Sequence, residues 1–180
     1  IGCRLAEEIL KREGIEGKIV CQDFFHPPTD MLQRFDVVVS FGLLEHFEDT
    51  TVCLEALNRY VKPGGILVTV IPNLLGIIGW MQKLLSREIY EKHVLLTKQM
   101  MRDAYESVGL YVSECRYFIP GNFGIVNLGE KASDYQWLIR VLWWLSKLCW
   151  LFYSAIPISY GRFIASYCYC IGCKIKPDNK

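Results

Sequence analysis

The run from residue 35 to residue 73, FDVVVSFGLLEHFEDTTVCLEALNRYVKPGGILVTVIPN, constrains the fold more than any other stretch. Phe35–Phe41 is almost continuously apolar and rich in valine, the pattern of a strand covered on both faces. Asp49 is placed to cap a helix. Cys53, Ala56, Leu57, Tyr60 and Val61 then recur at helical spacing on one apolar stripe. Pro63 cannot continue that helix, and Gly64-Gly65 permits a tight turn. Residues 66–71 read as a second buried strand. Strand, helix and strand in that order wind into a right-handed βαβ unit with parallel strands. Ligands of such sheets bind beyond the carboxyl ends of the strands. Here those ends are the loop 42–49 and the segment after Pro72.

Three groups of residues in this run resemble the class I S-adenosylmethionine-dependent methyltransferases. Phe35-Asp36-Val37-Val38-Val39 matches the fourth strand, and Leu44-Glu45-His46 with Glu48-Asp49 matches the loop after it. Lys62-Pro63-Gly64-Gly65 matches the turn into the fifth strand. The resemblance covers most of the chain outside residues 121–159. It implies a Rossmann-like α/β sheet of order three-two-one-four-five-seven-six, with the seventh strand antiparallel. In that frame residues 18–22 are strand three, 35–41 four, 66–71 five, 111–118 six and 163–175 seven. Strands one and two would precede Ile1. The chain opens inside an apparent helix, with Leu5, Ala6, Ile9 and Leu10 on one face and Gly14 near its end. The expected fold is therefore a partial methyltransferase domain over residues 1–180, truncated before strand three. It ends in an antiparallel hairpin and carries a Trp-rich helical insertion.

The resemblance also nominates site residues. Asp23 and Phe24 follow strand three, where an acidic residue accepts a hydrogen bond from the adenine amino group and the next amide reads a ring nitrogen. Without the resemblance, Asp23 reads first as an ordinary strand-end side chain capping a turn. Phe41, Gly42 and Leu43 form the turn that meets the methionine part of S-adenosylmethionine, and Gly42 permits close backbone approach. Glu45 and His46 sit where donor and acceptor meet. An imidazole titrates near neutrality and can take a proton from a hydroxyl, with Glu45 orienting it or binding the methionine amine. His93, before a helix capped by Thr97, matches a substrate-side position. The competing reading makes Glu45 and His46 loop-shaping residues and His93 a surface or capping residue. The Gly-rich loop after strand one and the acidic residue ending strand two are not found, so the 180 residues alone are expected to bind donor poorly and to be inactive.

The eight cysteines include Cys168-x-Cys170-x-x-Cys173, a spacing that can hold zinc. Cys168 and Cys170 would share one strand face and no fourth ligand is near, so buried thiols on a strand are favoured and no metal is assigned. Thiols on apolar faces and no signal peptide point to a cytoplasmic protein. A net charge of +1 makes no electrostatic case for nucleic acid. Residues 134–153 read as an apolar helix with Trp137, Trp143, Trp144 and Trp150, ended by Pro157. Arg140 and Lys147 break any charge-free span. That helix reads either as peripheral on a membrane surface or over a lipophilic substrate, or as packed on the sheet or in a homodimer interface. Leu74, Leu75, Ile77, Ile78 and Trp80 add a second apolar loop on the same expected side. Substrate-cap segments are placed at residues 74–98 and 121–157.

Three functions follow. The first is methyl transfer from S-adenosylmethionine to a small lipophilic or glycan-precursor acceptor, with O-methylation favoured. The second is a Rossmann-like binding module without catalysis. The third is a peripheral membrane protein acting through its Trp-rich helix.

Overall fold

The computed structural model describes residues 2–154 and 161–175. Its helices are α1 (Gly2–Arg12), α2 (Thr50–Asn58), α3 (Ile77–Leu85), α4 (Arg87–Glu91), α5 (Lys98–Ser107) and α6 (Gln136–Ser154). Its strands are β1 (Phe35–Phe41), β2 (Val61–Pro72), β3 (Leu110–Pro120) and β4 (Ala165–Lys174). β1 pairs parallel with β2, and β4 lies antiparallel between β2 and β3, giving the order β1-β2-β4-β3. This is the Rossmann-like mixed sheet expected for strands four, five, seven and six. The helix stop expected at Pro157 lies outside the described residues.

Local chemistry sets the element ends. The Asp49 carboxylate accepts from the Thr51 amide at 2.9 Å and starts α2, and the Thr97 hydroxyl accepts from the Met100 amide at 3.1 Å and starts α5. Gly109, at φ +77°, lies between α5 and β3. The turn expected at residues 62–65 is instead absorbed into β2. The ladder is irregular between Phe35 and Val37, and Gly64 has φ +82°. At Gly65 a Cβ would stand 2.8 Å from the Asp36 carbonyl, so the two backbones meet more closely than any side chain allows.

Residues 18–22 form no strand, contrary to the sequence reading. An extended segment becomes a strand only by pairing, and among the described residues no strand lies beside it. The expectation that β1 is covered on both faces also fails. Val37 and Val39 are 50% and 48% exposed, and Phe41 is 74% exposed. These residues share one face, which no described helix covers.

The other face is closed by α2 and α5. Leu44, Leu54, Leu67, Met101 and Tyr105 form its buried centre. The Tyr105 hydroxyl lies 2.9 Å from Thr69 Oγ1 and 3.1 Å from the Cys170 carbonyl, which satisfies it inside the core. Cys168 and Cys170 are buried on the same face of β4, and Cys170 sits opposite Cys115 of β3. Cys173, three residues beyond Cys170, falls on the opposite face of the strand. A second cluster joins Leu74 and Ile78 to Leu138 and Leu142 of α6.

Candidate functional site

Phe41 ends β1, and the backbone turns at Gly42. Gly42 has φ +59°, and its amide donates to the Val70 carbonyl of β2 at 2.9 Å. A Cβ at this position would sit 3.5 Å from Glu45 Oε1, so glycine keeps the space above the turn clear. Residues Leu44–His46 then form one short 3₁₀ turn. Leu44 enters the core and Leu43 packs against it. This anchoring fixes where the next two side chains point.

Glu45 is 2% exposed, and its Oε2 has no hydrogen-bond partner. Burial pushes its carboxyl above the ordinary glutamate range. Burial likewise pushes the Cys53 thiol up to about 11, with the Glu45 charge adding to it. The Val94 amide donates to the Glu45 carbonyl at 2.7 Å and ties the segment after α4 to this loop. That tie brings His93 to His46, with ring centroids 4.7 Å apart. One ligand-type atom from each of Glu45, His46 and His93 lies within 4.8 Å of the others. His93 Nδ1 lies 2.6 Å from the Ile89 carbonyl, which makes Nδ1 the protonated nitrogen and leaves Nε2 free. The three residues nominated as catalytic are thus brought together in space.

The nominated adenine residues lie next door. The Asp23 carboxylate accepts from the Phe25 amide at 3.0 Å and meets His26 Nδ1 at 2.9 Å. These contacts, led by the His26 one, hold its carboxyl below the usual aspartate range. Both oxygens are engaged inside their own turn, so adenine would have to share Asp23 with them. Phe24 packs against the core, and its carbonyl accepts from the Tyr60 hydroxyl at 2.9 Å. Phe24 and Phe25 both meet Phe47 edge-on, at 6.2 and 5.6 Å between ring centroids. Phe47 therefore joins the 23–26 turn to the Glu45-His46 turn. The sequence reading passes over Phe47, because an apolar ring in a loop carries no chemical signature of its own.

A groove of about 580 Å³ runs between residues 18–31 and β1, lined by Val20, Phe24, Met31, Val37 and Tyr60 among others. It includes none of Glu45, His46 and His93, and it follows the unpaired side of β1. On the far side, Asn73 is buried and donates to the Ala165 carbonyl at 2.7 Å, fixing the segment after β2. Leu74 and Ile78 pack inward beside α6, whereas Trp80 is 64% exposed. On α6, Trp137, Trp143, Trp144 and Trp150 are exposed, and Lys147 Nζ stands 3.8 Å from the centroid of the Trp143 ring. No helix of the described residues is long and apolar enough to cross a membrane.

Residues 5–114 match a protein family described as a methyltransferase domain. Solved structures share the fold at low identity. A SAM-dependent methyltransferase of Thermotoga maritima, described as a possible histamine N-methyltransferase, is 14% identical with a TM-score of 0.58; the match covers 93% of this chain and 68% of that one. A possible methyltransferase of Bacillus halodurans is 14% identical with a TM-score of 0.56, covering 97% and 79%. A protein of Galdieria sulphuraria described as a possible sarcosine dimethylglycine methyltransferase is 14% identical with a TM-score of 0.58, covering 96% and 66%. The chain thus spans about two thirds of the length of two of these three. No curated protein matches it.

Proposed function

Because the chain belongs to the methyltransferase-domain family, within the class I S-adenosylmethionine-dependent methyltransferases, we propose that the intact protein methylates a hydroxyl group of a small lipophilic or glycan-precursor molecule. The observation that carries this reading is the corner at the end of β1. Gly42 adds no side chain to its turn, and Glu45, His46 and His93 gather beside it. Bound S-adenosylmethionine supplies a methyl group on a sulfonium sulfur that leaves as a neutral thioether.

The site fits that donor. Gly42 carries no side chain of its own at a turn beside Glu45 Oε1, where main chain can meet the methionine end. Phe24 and the 23–26 turn, joined to the same loop through Phe47, suit the adenine end. With donor bound, Glu45, His46 and His93 would line the place where an acceptor hydroxyl meets the methyl group. Positioning of this kind supplies most of the catalysis that a sulfonium donor requires. Transfer to a hydroxyl would require its proton to leave, and the exposed His46 ring is a group able to take it. His93, fixed through Nδ1, lies beside His46 with ring centroids 4.7 Å apart.

The lipophilic acceptor class rests on the exposed indoles of α6 and on Trp80 of α3. These rings suit a greasy substrate or the surface of a membrane on which the protein sits peripherally. The test is transfer of labelled methyl from S-adenosylmethionine to a panel of lipid-linked and soluble hydroxyl acceptors by the intact protein. Transfer to a lipophilic acceptor, falling about 10²-fold or more in His46→Ala, supports the proposal. Donor binding without transfer to any hydroxyl compound would favour a binding module instead.

A further inference from the structure

We propose that Glu45, His46 and His93 form a binding site for a divalent transition-metal cation such as Zn²⁺ or Co²⁺. Its use in catalysis rests on the methyl-transfer reading above; its existence does not. Two imidazoles and one carboxylate are a donor set suited to a borderline-soft divalent cation. Their ligand atoms already lie within 4.8 Å of one another. A cation about 2 Å from each ligand draws such atoms to within ~4 Å, a small closure for an exposed ring such as His46.

Two independent observations point to a ligand here. Glu45 is almost fully buried, yet its Oε2 has no hydrogen-bond partner among the described residues. A buried polar atom left without a partner is costly, and a bound cation satisfies it. His93 Nδ1 is committed to the Ile89 carbonyl at 2.6 Å. Backing of this kind fixes the ring and its tautomer and leaves Nε2 as the ligating nitrogen, as in metal-ligating histidines. The Val94-to-Glu45 backbone bond holds the two loops in this register without any metal.

Three protein ligands leave coordination positions open on the exposed His46 side. A hydroxyl bound there would be acidified by the cation, which would then serve in place of a free imidazole in preparing the acceptor. The proposal separates this cluster from the cysteines, where Cys168 and Cys170 are buried and Cys173 lies on the opposite face.

Co²⁺ titrated into the metal-free intact protein, followed by visible absorption and by competition with Zn²⁺, tests the site without any activity readout. One equivalent should bind, without the thiolate charge-transfer absorption that a cysteine such as the exposed Cys21 would give. His46→Ala and His93→Ala should each weaken binding about 10-fold or more. His26→Ala, the third histidine and outside the cluster, should leave it unchanged. Both cluster histidines are at least partly exposed, so their variants should fold, and thermal melts confirm this. No stoichiometric binding, or equal binding in His93→Ala, overturns the site. Donor titrated into the same samples keeps the two readings apart. Donor binding without Co²⁺ binding removes the cation alone, whereas Co²⁺ binding without donor binding removes the methyl-transfer reading alone.

Discussion

The two faces of the sheet are unequal. One face, carrying Val38, Leu67 and Thr69, is sealed by α2 and α5 around Leu54, Met101 and Tyr105. The other, carrying Val37, Val39 and Phe41, is open along β1. The sealed face anchors Leu44, and through Leu44 it fixes the turn that presents Glu45 and His46. The Glu45-His46 turn is therefore held by a buried core, while the groove along residues 18–31, proposed for the donor's adenine end, borders the open face. Position is well determined where methyl transfer would occur and less constrained where the donor's adenine would lie.

The largest expected contrast is in stability. Leu54→Ala, on the sealed face, should cost about 2–5 kcal/mol, while Val39→Ala on the open face should change the stability of the 180-residue chain by only ~0.5 kcal/mol. Denaturant titration of both variants checks this, and equal losses would erase the distinction. Tyr105→Phe tests the polar pin of the sealed face. It removes the hydroxyl from Thr69 and from the Cys170 carbonyl and should cost about 1–2 kcal/mol by the same measurement. An unchanged midpoint would mean that packing alone holds the face. The smallest effect is chemical. Cys53, buried with its thiol pushed up to about 11, should resist alkylation at pH 8 in the native protein, while the exposed Cys21 reacts first. Mass spectrometry of the modified peptides reads the order, and early loss of Cys53 would show that the sealed face opens readily.

Much of the sealed face is legible in the sequence because its signals are local. Asp49 and Thr97 announce helix starts by residue type, and both cap as read. The apolar run before Gly42 and the run before Pro72 announce the two parallel strands. The open face is misread for a physical reason: valines at 37 and 39 report what a chain can bury, not what covers them. Residues 18–22 fail similarly, since strand composition carries no information about a partner. The resemblance nominates Glu45, His46 and His93 separately. That His93 meets His46 is not legible, because it depends on the Val94 amide reaching the Glu45 carbonyl across an intervening strand and three helices. The contact of Phe47 with Phe24 and Phe25 is hidden for the same reason.

The account turns on the open turn at Gly42 being where the donor is held. Equilibrium binding of S-adenosylmethionine to the intact protein, beside a Gly42→Val variant shown to melt like the parent, tests this most directly. A β-branched residue at φ +59° is strained and fills the turn, so donor affinity should fall about 10-fold or more. The paired change Trp143→Ala with Trp144→Ala should leave donor affinity as it was. Saturable binding lost at Gly42→Val and kept in the tryptophan pair is the predicted result. No donor binding to the intact protein, or undiminished binding to Gly42→Val, would contradict it.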